Sequence, residues 1–215
     1  FSCLEHVLLN IRLNRDLPNK VRSVILDGIS IEHRNIMGTA WSSMLSWLGW
    51  TKKRRIIIIG LDNAGKTSIL YRLKLGKIVP TAPTVGFNLE KIQTKGIELS
   101  CWDLGGQSVI RPYWRSYTKG ANAVVFVADS SDTSRFDSAR RELENILKEP
   151  ELARVPLLVF ANKKDVPGSA PGGRVSVALG LPKYQDRPWA IFETSAVKGD
   201  GSDIREGLDW LVGKL

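Results

Sequence analysis

This sequence predicts an α/β domain: a mostly parallel sheet covered by helices on both faces. Three observations carry the prediction. From Arg54 onward, short β-branched or apolar runs alternate with stretches of helical apolar spacing. Glycine or a polar cluster closes most of the runs. One pair of runs flanks a turn signal and reads as an antiparallel hairpin. Strands that alternate with helices pair in parallel and need cover on both sides. Ligands of such sheets bind beyond the carboxyl ends of the strands, so unusual residues are expected just after them.

The elements follow in order. "RRIIIIG" (54–60) is a buried strand closed by glycine. Lys66 to Leu75 carries Ile69, Leu70 and Leu73 at helical spacing. "FNLEKIQ" (87–93) and "IELSCWD" (97–103) flank Thr94-Lys95-Gly96 and form the hairpin. "ANAVVFVAD" (121–129) is a second buried strand. Thr133 to Leu147 is an amphipathic helix stopped before Pro150. "VPLLVFANKKD" (155–165) is a strand running into a polar loop, and "PWAIFETSA" (188–196) is the last strand. Ile204 to Leu215 is a closing helix with Leu208, Leu211 and Leu215 on one side. Between them, "PGSAPGG" (167–173) is expected to be a flexible surface loop.

The chain of 215 residues suffices for one sizeable α/β domain with a tail. Its net charge is +9, of which the first 35 residues contribute about +1, so the remainder is the basic part. Excess positive charge favours lipid headgroups, nucleic acid or phosphorylated ligands without choosing among them. No interleaved aromatic and basic platform is present in the strands, which argues against a nucleic-acid partner. No apolar run approaches the length that spans a bilayer. Cys101 sits in an apolar run as a small buried residue, and with Cys3 as the only other cysteine no disulfide framework forms in the domain. Both histidines, His6 and His33, precede Met37, so the domain's chemistry proceeds without histidine.

The first methionine is Met37. Residues 1–36 lack the pattern of a secretory signal and hold only short apolar stretches such as Val21 to Leu26. They read as a disordered leader of translated upstream sequence, with a regulatory or transit extension as the rival. Residues 37–53 read as an amphipathic membrane helix with a basic linker, and 54–215 as the catalytic domain. Gly38 begins a Met-Gly-x-x-x-Ser pattern ending at Ser42, which marks an N-myristoylation site once Met37 is removed. Trp41, Met44, Leu45 and Leu48 share one helical face, bordered by Trp47 and Trp50, residues that favour the headgroup zone. Lys52 to Arg55 then meet anionic lipid, at about 1 kcal/mol per cation near the surface. A single acyl chain binds membranes marginally, so chain, helix face and cations must act together. The competing reading packs this helix on its own core.

Gly60-Leu61-Asp62-Asn63-Ala64-Gly65-Lys66-Thr67 fits G-x-x-x-x-G-K-[ST] between a strand and a helix. The loop must wrap phosphate oxygens closely, so glycine stands at both ends. Backbone N–H groups and the helix N-terminus, where Ser68 follows, face the anion. Lys66 supplies a mobile charge for the outer phosphates, and the Thr67 hydroxyl suits Mg²⁺. Asn162-Lys163-Lys164-Asp165 selects the base. The Asp165 carboxylate accepts from the ring N–H and amine of guanine, a donor pair adenine lacks. The Lys163 stem lies over the base and Asn162 meets its other edge. Ser195-Ala196-Val197 offers a backbone N–H to the guanine carbonyl. Thr84, in Pro83 to Phe87, gives a second hydroxyl for Mg²⁺. Asp103 holds the metal, Gly106 presents its N–H to the terminal phosphate, and Gln107 orients the attacking water.

"GLDNAGKT", "PTVGFN", "WDLGGQ", "IRPYWRSY" and "NKKD" stand in an order and spacing that resembles the ADP-ribosylation factor (Arf/Arl) family of small GTPases. Within it, "WDLGGQSVIRPYWR" and "RPWAIFETSAVKGDG" are most similar to the ADP-ribosylation factor-like branch of the trans-Golgi. The resemblance spans Met37 to Leu215. It implies the P-loop NTPase fold of small G proteins, with a six-stranded sheet, one strand antiparallel. It implies GTP and GDP with Mg²⁺ as ligands, and slow hydrolysis of GTP to GDP and phosphate until an activating protein donates an arginine, since Arg111 and Arg115 are expected to make structural contacts. It also implies an exchange factor, golgin-type or coat-protein effectors, a cytoplasmic pool and reversible residence on Golgi membranes during vesicle traffic. The resemblance further implies that the N-terminal helix docks on the GDP form and is expelled by GTP as the hairpin Phe87 to Asp103 slides along the sheet, and that Phe87, Trp102 and Tyr117 match the family's aromatic effector patch. Lys164 departs from the glutamine usual in the family, and the 167–173 loop is richer in proline and glycine. A P-loop nucleotide kinase or another nucleotide-binding module is the alternative; a kinase needs an acceptor lid and not Asn-Lys-x-Asp.

Overall fold

The structure, a computed structural model, describes residues 52–82, 84–94, 97–104 and 111–215. Strands β1 (Lys52–Ile59), β2 (Phe87–Thr94), β3 (Ile97–Leu104), β4 (Ala123–Asp129), β5 (Leu157–Asn162) and β6 (Trp189–Thr194) form one sheet. Their order is β2-β3-β1-β4-β5-β6, and only β2 runs antiparallel to its neighbour. Helices α1 (Lys66–Leu75), α2 (Phe136–Leu147), α3 (Gly172–Ala178) and α4 (Ser202–Val212) connect and cover it.

The two-residue side-chain period of the strands explains the two cores. Ile57, Ile59, Val124, Phe126 and Val159 face α2 and α3, where Phe136, Leu143, Ile146 and Val175 meet them. The alternate set, Ile56, Ile58, Val125, Val127, Leu158 and Phe160, faces α1 and α4, meeting Ile69, Leu70, Ile204, Leu208 and Leu211. Every residue of β5 is buried. A strand covered on both faces has no reason to alternate, which is why β1, β4 and β5 read as continuous apolar runs. β1 stands between β3 and β4, where the order of connection reverses, so its carboxyl end opens on the crevice that sheets of this class use for ligands.

Four boundaries differ from the sequence expectation. β1 starts at Lys52, and Lys52 and Lys53, expected in the basic linker, take ladder positions opposite Ile97 and Glu98. Ladder bonds are made by the backbone, so β3 recruits whatever residues precede the apolar run. Thr133–Arg135 forms a 3₁₀ turn rather than the first turn of α2, because the Asp132 carboxylate accepts from Ser134 Oγ (2.6 Å) and Arg135 Nε (2.7 Å) and competes with the helix. α4 spans Ser202–Val212 and ends short of Leu215; the Leu215 carbonyl accepts from Arg54 Nη2 at 2.9 Å. The stretch expected to be a flexible loop is anchored. Ala170 is buried and its N–H donates to Ser130 O at 2.7 Å. The Gly172 N–H donates to Glu193 Oε1 at 2.5 Å, and Pro171 leads into α3, which the sequence reading passes over. Proline before a helix costs no hydrogen bond, so a Pro-Gly-Gly sequence need not mean a loop.

Candidate functional site

A cleft of about 450 Å³ opens at the carboxyl ends of β1 and β5, within the range of small-molecule sites. Asp62, Asn63, Gly65, Lys66, Thr67 and Ser68 line one end, and Asn162, Lys163, Asp165, Val166, Ala196 and Val197 the other. Thr81, Ala82 and Thr84 complete its wall. Four segments far apart in sequence therefore share one concave surface. Of the other expected residues, Gly60, Leu61, Ala64, Asp103 and Ser195 are packed close behind it. Gly106 and Gln107 lie outside the described residues, as do Gly38 and the arm 37–51.

The loop 60–67 is shaped by what side chains would obstruct. Gly60 has φ 147°, and a Cβ there would stand 2.2 Å from the Val127 carbonyl. Gly65 has φ 90°, and its Cβ would meet Asn162 Nδ2 at 2.3 Å. Asn63 takes the left-handed region with φ 60°, a conformation asparagine tolerates better than most residues. Leu61 and Ala64 are buried and fasten the loop to the core. Lys66 is not the mobile cation expected from the motif. It is buried, and Nζ donates to Gly60 O (3.0 Å) and Leu61 O (2.9 Å), so the ammonium is held across the mouth of the loop by the loop's own carbonyls. A charge positioned beforehand stabilises an anion without reorganisation.

Thr67, Thr84 and Asp103 converge. Thr67 Oγ1 donates to Asp103 Oδ2 at 2.5 Å, and the two threonine hydroxyls are 2.9 Å apart. Thr84 Oγ1 lies 3.5 Å from the same carboxylate oxygen. Asp103 is fully buried, and its Oδ1 has no hydrogen-bond partner among the described residues. Burial pushes this carboxyl above the usual range, against the Thr67 hydrogen bond and the Lys66 charge that lower it. An orphaned buried carboxylate oxygen beside two hydroxyls is a hard, oxygen-only donor set with a single charge. It fits Mg²⁺, which takes one or two carboxylates and leaves its remaining positions to water and substrate phosphates. Among the described residues no cluster of three His, Cys, Asp or Glu side chains stands ready to hold a metal alone, so the nucleotide would complete the shell.

Asn162 joins the two ends of the cleft. Its Nδ2 donates to Ala64 O at 2.8 Å, and its Oδ1 accepts from Ala196 N–H at 3.1 Å. Ala196 N–H, one of the backbone donors of Ser195-Ala196-Val197 among which a contact to the guanine carbonyl is expected, is thus engaged by Asn162 here. Lys163, with φ 68°, turns its ammonium to Asp129 Oδ2 at 2.6 Å. Asp165 Oδ1 accepts from Ser195 Oγ at 2.6 Å, which orients the carboxylate. Ser195 therefore contributes a hydroxyl as well as a backbone position. Lys164, where the family usually has glutamine, pairs with Asp203 Oδ2 at 2.7 Å; the same oxygen accepts from Ser195 N–H at 3.1 Å.

Sequence reasoning missed Arg135. Its Nη1 lies 3.3 Å from both the carbonyl and Oδ2 of Asp62, while Nε holds Asp132. The Asp132–Arg135 spacing could be read as a local pair, but Asp62 is 73 residues away and has no sequence signature. Arg115 pairs with Glu149 at 2.8 Å, the structural contact expected of it. Phe87, Trp102 and Tyr117 form a triad with ring centroids 5.2–5.7 Å apart. Arg55 lies 4.3 Å over the Trp102 ring. Phe87 is 48% exposed, and the other two are half-buried.

Comparison with known proteins agrees with this geometry. The model of the ADP-ribosylation factor family matches residues 41–215. The chain is 51% identical to ADP-ribosylation factor 3 of Arabidopsis thaliana over 179 residues, covering 83% of this chain and 97% of that protein. It is 52% identical to ADP-ribosylation factor-like protein 1 of Saccharomyces cerevisiae over 177 residues, covering 82% and 96%. Among solved structures it is similar to the Arl6 BBS3 small GTPase from Trypanosoma brucei with bound nucleotide analogue GppNp. That match has a TM-score of 0.69 and 32% identity, and covers 75% of this chain and 96% of that one.

Proposed function

We propose, from the premise that this chain belongs to the ADP-ribosylation factor family of small GTPases, that it is a membrane-directed switch of vesicle traffic at the Golgi. As a family member it is a GTPase: it binds GTP and GDP, hydrolyses GTP to GDP and phosphate, and answers to exchange factors, activating proteins and effectors. Family membership sets aside the kinase alternative.

The single observation that carries the switch reading is the meeting of Thr84 with Thr67 and Asp103. Thr84 belongs to the connection between α1 and β2, and its hydroxyl meets Thr67 and Asp103. A contact of that kind is easily made or broken by whatever lies between the three oxygens. Mg²⁺, when bound by Thr67, Thr84 and Asp103, would neutralise charge on the outer phosphates. Lys66, held by two loop carbonyls, lowers the cost of negative charge at the mouth of the loop. Asp103 passes the state of the site to β3 and hence to the β2–β3 hairpin. Gly106 and Gln107 are assigned to the terminal phosphate and the attacking water. Arg115 is committed to Glu149 and Arg135 to Asp132 and Asp62, so the arginine that speeds hydrolysis would come from an activating protein. An arginine supplied by an activating protein raises such rates by about 10³–10⁵-fold.

On the membrane side, the amphipathic arm from Trp41 to Leu48, an acyl chain on Gly38 and the cations from Lys52 act together. The aromatic triad at the hairpin, with Phe87 half exposed, suits docking of golgin-type or coat-protein effectors. The test is flotation of the full, acylated chain with anionic liposomes after loading with GDP or a non-hydrolysable GTP analogue. The GTP-loaded form is expected to float and the GDP form to stay behind. Equal partitioning in both states would falsify the coupling.

A further inference from the structure

We infer that Arg72 is a positioning residue that sets recognition of the guanine carbonyl edge from the far end of the phosphate-binding helix. Arg72 lies in α1, the helix whose first turn carries Lys66 and Thr67. Its guanidinium is buried, and Nη2 donates to the carbonyl of Gly199, 127 residues away. Gly199 belongs to the loop that follows Ser195-Ala196-Val197, the segment that walls the base end of the cleft.

The loop is shaped around this side chain. Gly201 has φ 76°, and a Cβ there would stand 2.9 Å from Arg72 Nε and 3.3 Å from its Cγ, so the turn closes only without a side chain. Gly199 has φ 69°, which aims its carbonyl where few other residues would. On the opposite side Asp203 takes the Ser195 N–H and pairs with Lys164. The segment 195–203 is therefore held from the NKKD side by Asp203 and from the α1 side by Arg72. Without Arg72 the Gly199 carbonyl loses a charge-assisted donor, and the turn that follows Ser195-Ala196-Val197 is left to the Arg205 donation to Asp200 O and to the Asp203 contacts. Because α1 also carries the phosphate contacts, one rigid helix sets the distance between phosphate and base recognition.

The inference rests on the guanine-binding reading, and the experiment separates the two. Dissociation constants of the full chain are measured for GDP, for 6-thio-GDP, in which sulfur as a weak acceptor replaces the carbonyl oxygen, and for IDP, which lacks the amine read by Asp165. The variants are Arg72→Ala and Gly201→Ala, which break the same contact from either side, and Arg72→Lys. Since Arg72 Nε has no partner among the described residues and the contact is a single bond to one carbonyl, a lysine ammonium retains part of the interaction. In R72A and G201A the preference for GDP over 6-thio-GDP is expected to fall about tenfold, with R72K intermediate. The preference for GDP over IDP is expected to fall less, since Ser195, which orients Asp165, keeps its own N–H bond to Asp203. A parallel fall of both ratios, or no change in either, overturns the role of Arg72. A wild-type protein indifferent to GDP against ADP would overturn the guanine site itself.

Discussion

Replacing Asn162 by alanine should damage nucleotide retention far more than its size suggests. The side chain is buried and spends both ends on backbone groups: Nδ2 on Ala64 O at 2.8 Å and Oδ1 on Ala196 N–H at 3.1 Å. Alanine leaves a carbonyl of the phosphate loop and an N–H of the base loop without these partners. Each orphaned group costs about 1–3 kcal/mol, so the pair costs about 4 kcal/mol. In the nucleotide-free protein the two loops can separate and recover water, so the cost appears when ligand holds them together. At about 1.4 kcal/mol per tenfold, dissociation of a fluorescent GDP analogue should accelerate by about 10²–10³-fold. Ser130→Ala is the matched control. Ser130 is equally buried, and its hydroxyl donates to Asn162 O at 2.7 Å, but that carbonyl keeps the Ser130 N–H at 2.8 Å. Nothing is orphaned, so the loss is the net value of one bond, about 1 kcal/mol and less than about tenfold in rate. Stopped-flow release with excess unlabelled GDP reads both. Equal rates in the two variants, or an N162A rate within tenfold of wild type, would refute the argument that orphaned backbone groups dominate.

Glycine-to-alanine changes in and just beyond the last helix should have opposite signs. At Gly207 the new methyl would stand 2.5 Å from Phe160 Cε1, in a ring that is fully buried, and overpacking of about 1–3 kcal/mol outweighs the helix-propensity gain of about 1 kcal/mol. At Gly213 the nearest atom would be 3.4 Å away and φ is −66°, so alanine should stabilise by about 0.4–1 kcal/mol; urea denaturation at fixed GDP compares the two. The Cys101 thiol, pushed up to about 12 by burial and then by Glu90, should resist alkylation in the folded protein and react once it unfolds. Its contribution to stability is complete below the ordinary thiol value of 9.0 and is lost as pH rises towards about 12, which denaturation midpoints of wild type and Cys101→Ala across that window would report. Glu144, held at about 2 first by Lys183 and then by Arg140, contributes above its ordinary value of 4.5 and ceases to as pH falls towards about 2. Both cationic partners are about half exposed, which screens the pairs, so Glu144→Gln should cost less than about 1 kcal/mol at neutral pH and nothing in strong acid.

Much of the site was legible because its chemistry is local. A loop that wraps phosphate needs glycine where a Cβ would strike Val127 or Asn162, and both positions appear within one octapeptide. The buried strands announced themselves because cover on both faces removes alternation. The readings that failed concern competition between local and distant partners. Lys52 and Lys53 look like a linker until β3 offers them a ladder. Thr133–Arg135 looks helical until the Asp132 carboxylate takes the neighbouring donors. Pro167 to Gly173 looks loose until Ser130 and Glu193 bind it.

The amino-acid sequence by itself determined the alternation of strands and helices, the glycine-bounded loop 60–67, the Asn-Lys-Lys-Asp tetrapeptide and the family, since each depends on residue types at short spacings. Only the tertiary structure decided that Lys66 is pinned, that Asn162 ties the loop 60–67 to Ala196, that Ser195 steadies Asp165, that Arg135 reaches Asp62 and that Arg72 reaches Gly199 from outside every motif. The physical reason is that a hydrogen bond between residues 73 or 127 positions apart leaves no periodicity behind. Such bonds exist only after the sheet has brought the carboxyl ends of β1, β4 and β6 together.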